Sequence, residues 1–114
     1  MDLFLSSRLV VDTGMNALGW PRERAMAYMR EHTLESDVQI DTETLRYSSD
    51  MPGQALAYKL GARQIHELRR RVRAVQGSGF DIKRFHAHLL DYGSMPLGVL
   101  DEHVACYLEE RHKR

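Results

Sequence analysis

Four side chains able to hold an anion lie close together in the sequence, on either side of Pro52: Arg46, Tyr47, Tyr58 and Lys59. Arginine and lysine bring positive charge, and tyrosine brings a hydroxyl donor on an aromatic body. Proline tolerates the first turn of a helix but not its interior, so the run RYSSDMPGQALAYKLG predicts a helix beginning at about Pro52. Gln54, Tyr58 and Lys59 then fall in its first turns, where the unpaired N–H groups and the positive end of the helix also favour an anion. The plainer reading gives the same residues hydrogen bonds and aromatic packing at a helix junction, because a buried tyrosine needs a polar partner.

Other chemistry-bearing groups are less well placed. His66 and Glu67 open HELRR, which looks like a zinc-binding helix until Arg70 takes the position of the second histidine. Zinc needs that ligand one turn further along the same face, so exposed helix residues are the simpler account. His86 and His88 stand two apart, which on a helix turns them about 200° from each other. They cannot grip one metal together, and His86 is better read as packing or hydrogen bonding at a helix junction. Lys59, Arg63, Arg69, Arg70, Arg71 and Arg73 give the long helix a basic character without any aromatic platform for nucleic acid. The acidic residues Asp37, Asp41 and Glu43 offer a counter-charge.

Helices must position these groups. Leu3, Phe4, Val10, Val11, Met15 and Leu18 share one broad face of a helix from residue 2 to about 18, with Leu5 and Leu9 lying off it. A second helix starts at Pro21 and runs to about His32, turning Ala25, Met26, Tyr28 and Met29 inward. Ser36 caps a third through Arg46 or Tyr47, with Val38, Ile40 and Leu45 inward. The long fourth helix carries Leu56, Leu60, Ile65, Leu68, Val72 and Val75 and stops at Gly77-Ser78-Gly79. Asp81 caps a fifth, with Ile82, Phe85, Leu89 and Leu90 inward, which Tyr92-Gly93 ends. A sixth begins near Pro96 with Leu97, Leu100, Val104 and Leu108 as its seam, and the tail from Glu109 frays. The fold class is all-α, a compact bundle of five to six helices in a single module over residues 1–114.

Composition narrows the function classes. A chain of 114 residues, 43% hydrophobic and 28% charged, is that of an ordinary soluble domain with no stretch long enough to span a membrane. Sixteen basic and sixteen acidic residues cancel, so no global field recruits nucleic acid or anionic lipid. A single cysteine, Cys106, excludes an intrachain disulfide and a multi-cysteine zinc site. The N-terminal apolar run lacks a basic leader and a small-residue cleavage site, which predicts a cytoplasmic protein.

Three blocks carry a more specific signal: VVDTGMNALGW at 10–20, PGQALAYKLG at 52–61 and FHAHLLDYGSMPLGVL at 85–100. In this order they resemble the C-terminal part of the bacterial domain of unknown function 885 family. Proteins of that family are much longer, mostly helical, and resemble zinc metallopeptidases whose HExxH helix lies upstream of the part matched here. The resemblance implies a C-terminal helical module, a fragment or truncated relative, which contributes one wall of a substrate cleft and is inactive alone. Zinc and a peptide substrate would then belong to the complete parent, with no metal ligand and no catalytic residue in this chain. Arg46, Tyr47, Tyr58 and Lys59 become its substrate-binding candidates, suited to steadying an oxyanion or a substrate carboxylate but not to activating water. Asn16 occupies a position where the family often has histidine, and asparagine cannot shuttle a proton. The rival expectation is a non-catalytic module that self-associates as a homo-oligomer through Leu5 and Leu9 of its first helix.

Overall fold

The computed structural model describes residues Asp2 to His112, and side chains as far as Leu108. Within that range the chain forms six α-helices and no strand: α1 (Asp2–Ala17), α2 (Arg22–His32), α3 (Asp37–Leu45), α4 (Gln54–Gln76), α5 (Ile82–Leu90) and α6 (Leu97–His112). The all-α expectation therefore holds. Packing divides the chain into two compact units, Met1–Leu60 and Gly61–Arg114, each with its own core.

In the first unit Val11, Ala25, Met29, Ile40, Tyr47 and Ala55 form the buried cluster, with Phe4, Met15, Met26 and Tyr28 packed around it. Gly14 of α1 lies against the Trp20 ring, and a Cβ there would stand 2.5 Å from Trp20 Cε3. Only glycine permits that approach. The Trp20 N–H donates to the Gly14 carbonyl at 2.8 Å, which fastens the turn from α1 into α2.

The inner face of α1 differs from its apolar pattern. Leu3 and Leu18 are exposed, Leu5 and Leu9 are half-buried, and Ser7, Arg8 and Asp12 are buried with Val11. Polar partners on other elements make burial of Arg8 and Asp12 affordable, a compensation that hydrophobic periodicity does not detect. The same holds for α3. Ser36 caps it as expected, its Oγ accepting from the Gln39 N–H at 3.2 Å. Its inward line, however, is Ile40, Glu43 and Thr44, while Val38 and Leu45 face solvent. These acidic residues also pair differently from the expectation. Asp37 binds Arg30 at 2.7 Å, Asp41 binds Arg22 at 2.6 Å and Glu43 binds Arg8 at 3.2 Å, all within the first unit.

In the second unit Leu68, Val72, Phe85, Leu89, Leu100, Val104 and Tyr107 are buried, with Phe80, Ile82, Met95 and Leu108 packed against them. Each fully buried aliphatic here, such as Leu68 or Val72, contributes about 1.5–3 kcal/mol. Of the apolar line expected along α4, Leu60, Ile65 and Val75 are exposed. Two of its basic residues find partners within the unit, Arg70 with Glu67 one turn away and Arg71 with Asp101 of α6, each at 2.6 Å. Asp81 caps α5 by accepting from the Lys83 N–H at 2.8 Å. Leu90 and Leu97, both expected inward, are exposed, whereas Tyr107 joins the α6 seam. The helix α6 continues to His112, and the last two positions of the expected frayed tail, Lys113 and Arg114, lie outside the described residues.

Candidate functional site

The first unit gathers its polar groups around the path from α3 to α4. After Leu45 the backbone widens into a single π turn, Arg46–Asp50, closed by the Met51 N–H donating to the Arg46 carbonyl at 2.8 Å. Such turns insert one extra residue into a helical path and recur at functional sites. The hydroxyls of Ser48 and Ser49 donate to the Leu45 carbonyl at 2.9 and 3.0 Å, which ties the turn to the end of α3.

The next helix begins two residues later than Pro52. Gly53 adopts φ 84°, a left-handed conformation that glycine accommodates and that breaks the helical path, so α4 starts at Gln54. Its exposed N–H groups are met from another helix. Asp12 Oδ1 accepts from the Gly53 N–H at 2.9 Å and Asp12 Oδ2 from the Ala55 N–H at 3.1 Å. A carboxylate in this position satisfies orphan donors and opposes the positive end of the helix. The helix entrance that the sequence offered to an external anion is thus held by the chain's own Asp12. Asn16, one turn along α1, donates through Nδ2 to Asp12 Oδ1 at 2.8 Å and to the Tyr47 carbonyl at 3.0 Å. It performs a positioning task that needs a donor and no proton transfer.

Beneath the π turn lies a charged cluster. The Tyr47 side chain is fully buried, and its hydroxyl donates to Glu43 Oε2 while accepting from Arg8 Nε. Arg8 Nε also lies 3.2 Å from Glu43 Oε2, so the cation and the anion compensate each other out of water. The Arg8 guanidinium carbon stands 5.3 Å from the Phe4 ring centroid, 5.4 Å from that of Tyr47 and 5.2 Å from that of Tyr58. This spacing is within cation–π range for all three rings.

Four candidates from the sequence therefore have distinct places. Tyr47 and Tyr58 meet at Arg8, the first buried and the second 50% exposed. Arg46 approaches the same cluster from its solvent side, with Nη1 4.0 Å from Glu43 Oε1 and Nη2 donating to Met51 Sδ at 3.7 Å. Lys59 is drawn toward the start of α1, where Nζ lies 2.6 Å from Asp2 Oδ1. No hydrogen bond or ion pair joins Arg46 to Tyr58 or Lys59 among the described residues; Glu43 and Arg8 are the links. Gln54, in the first turn of α4, has a buried side-chain oxygen without a hydrogen-bond partner.

Arg8 and Glu43 are the members that sequence reasoning missed. Their signal was spacing: Arg8 and Asp12 stand four apart on α1, and Glu43 stands four before Tyr47, so each pair shares a helical face. Of the described histidines, His88 and His103 meet, with ring centroids 5.9 Å apart. His66 and His86 are exposed, with the His86 ring 5.7 Å from that of Phe85, while His88 packs on Tyr107 at 3.7 Å between ring centroids. Among the described residues no group of three or more His, Cys, Asp or Glu is placed to hold a metal ion, and none of their helices is long and apolar enough to cross a membrane.

Comparison with known proteins agrees with the three sequence blocks. A crystal structure of a protein named "putative lipoprotein", from Colwellia psychrerythraea, superposes with a TM-score of 0.92 at 41% sequence identity. The match covers 96% of this chain but only 18% of that one, so this chain spans less than a fifth of its solved relative. Curated proteins give no match. The profile of the family described as bacterial protein of unknown function (DUF885) matches residues 1–104, and the chain belongs to that family.

Proposed function

We propose that this chain is the C-terminal helical module of a longer zinc-dependent peptidase or amide hydrolase, in which it forms one wall of the substrate cleft. The observation that carries this reading is the half-exposed Tyr58, held from below by the Arg8–Tyr47–Glu43 cluster, with the Arg46 side chain beside Glu43. A hydroxyl and a guanidinium fixed in this way suit an oxyanion or a substrate carboxylate, because donors that need no reorganisation stabilise developing charge best.

The chemistry of bond cleavage belongs to the remainder of such a protein. Among the described residues no group of three or more His, Cys, Asp or Glu fits a zinc site, so no metal-dependent step is assigned to them. The alternative, a non-catalytic module that self-associates through α1, has less support because Leu5 and Leu9 are both half-buried within the chain.

Tyr58→Phe and Arg46→Ala in the longer protein test the proposal. Lower turnover or weaker substrate binding at an unchanged melting temperature is the expected result. Full activity with a lower melting temperature would assign both residues to packing. A cytoplasmic location is carried over from the sequence expectation, while the lipoprotein name belongs to the solved relative; fractionation of cells expressing the longer protein distinguishes the two.

A further inference from the structure

Arg46 differs from the other arginines of the first unit. Arg22 and Arg30 close ion pairs at 2.6 and 2.7 Å, and Arg8 is held by Glu43 and the Tyr47 hydroxyl. Arg24 lies over the Trp20 ring, 4.1 Å from its centroid. Arg46 reaches a carboxylate only at 4.0 Å, and its side-chain hydrogen bond goes to the Met51 sulfur at 3.7 Å. A guanidinium carries several N–H donors and a thioether is a weak acceptor, so most of this donor capacity is unused within the chain.

The neighbouring carboxylates are engaged elsewhere. Glu43 Oε2 accepts from the Tyr47 hydroxyl and lies 3.2 Å from Arg8 Nε, and its Oε1 accepts from Gln39 Nε2 at 3.4 Å. Asp50, at the far end of the π turn, accepts from Ser49 Oγ at 3.2 Å and forms no ion pair with Arg46 among the described residues. Arg8 and Glu43 compensate each other, so the charge of Arg46 is the excess in this cluster. Its backbone is anchored on both sides: the N–H donates to the Thr42 and Glu43 carbonyls, and the carbonyl accepts from the Met51 N–H at 2.8 Å. A donor presented from a fixed backbone loses less freedom on binding.

We infer that Arg46 holds a carboxylate of the substrate, which makes the substrate class peptides that carry a free carboxylate. The planar guanidinium fork matches a carboxylate through two parallel N–H···O bonds. One excess positive charge suits a monoanion, whereas a phosphate dianion would be repelled by Glu43, whose Oε1 stands 4.0 Å from the same guanidinium. Arg46 is thus the binding group, and the Tyr58 hydroxyl is left as the donor for developing charge. The inference rests on the hydrolase reading above, and its test separates the two.

The test measures kcat and KM of the longer protein on three matched peptides: one with a free C-terminus, one with a C-terminal amide, and an amidated one with a glutamate side chain. A carboxylate held by Arg46 should lower KM about tenfold to a hundredfold relative to the uncharged amide, with kcat little changed. Arg46→Gln should abolish that preference, and Arg46→Lys, which keeps the charge without the fork, should restore part of it. Preference for the free C-terminus identifies a terminal carboxylate, and preference for the glutamate peptide alone identifies a side-chain one; either supports the inference. Equal KM for all three peptides, or a preference that survives Arg46→Gln, would overturn it and leave the hydrolase reading standing. Cleavage of none of them would remove that reading and this inference together.

Discussion

Asp12 of α1 accepts a hydrogen bond from the backbone N–H of Ala55, at the start of α4, at 3.1 Å and across more than forty residues of sequence. With its second bond, to the Gly53 N–H at 2.9 Å, the carboxylate does for α4 what a local cap does for α3 and α5. Asp12 is 1% exposed, so water cannot replace it.

Removing this carboxylate should therefore be expensive. Asp12→Ala leaves the Gly53 and Ala55 N–H groups without their acceptor and takes one of several acceptors from the Asn16 amide, and is expected to cost about 2–3 kcal/mol. Asn16→Ala, which removes one donor from Asp12 and one from the Tyr47 carbonyl, should cost about 1 kcal/mol. Urea denaturation of both variants checks the order, and an Asn16→Ala loss as large as that of Asp12→Ala would contradict it.

The two tyrosines at Arg8 should separate in their effects. Tyr47→Phe removes the hydroxyl shared by Arg8 and Glu43, with an expected loss of about 1–3 kcal/mol. Glu43→Ala leaves the buried Arg8 charge without its partner and should cost about 3–5 kcal/mol. Tyr58→Phe keeps the ring on Arg8 and loses only a half-exposed hydroxyl, so stability should stay within about 0.5 kcal/mol. Thermal melts of the three variants measure the contrast; a Tyr58→Phe loss matching Tyr47→Phe would make Tyr58 a structural residue.

Gly14→Ala should destabilise the first unit by about 1–3 kcal/mol, because the new Cβ would stand 2.5 Å from the Trp20 ring and force it to move. Trp20 is the only tryptophan, so its fluorescence reports the displacement directly. An unshifted emission spectrum with unchanged stability would mean that the ring is free to yield.

Metal analysis after dialysis should find less than stoichiometric zinc on the isolated chain, since among the described residues no three metal-ligating side chains come together and Cys106 is exposed. One tightly held zinc per chain, lost on His66→Ala or His86→Ala, would refute that expectation.

The sequence by itself determined the helices and their local ends. Ser36 and Asp81 as caps, and Gly77 and Gly93 as stops, act over a few residues, and the structure keeps each of them. The sequence also carried the family, because three ordered blocks survive any uncertainty about packing. Only the tertiary structure decided which faces are buried. Val38, Leu45 and Leu90 look outward and Arg8, Asp12 and Glu43 look inward, since a polar group can be buried wherever a distant partner compensates its desolvation. The start of α4 falls at Gln54 because Gly53 is left-handed, and its cap, Asp12, comes from a helix distant in sequence, a pairing that leaves no local signature. Of the candidate site, the tyrosines and Arg46 were legible as residue types, whereas their meeting at Arg8 depended on the three-dimensional path from α1 to α4.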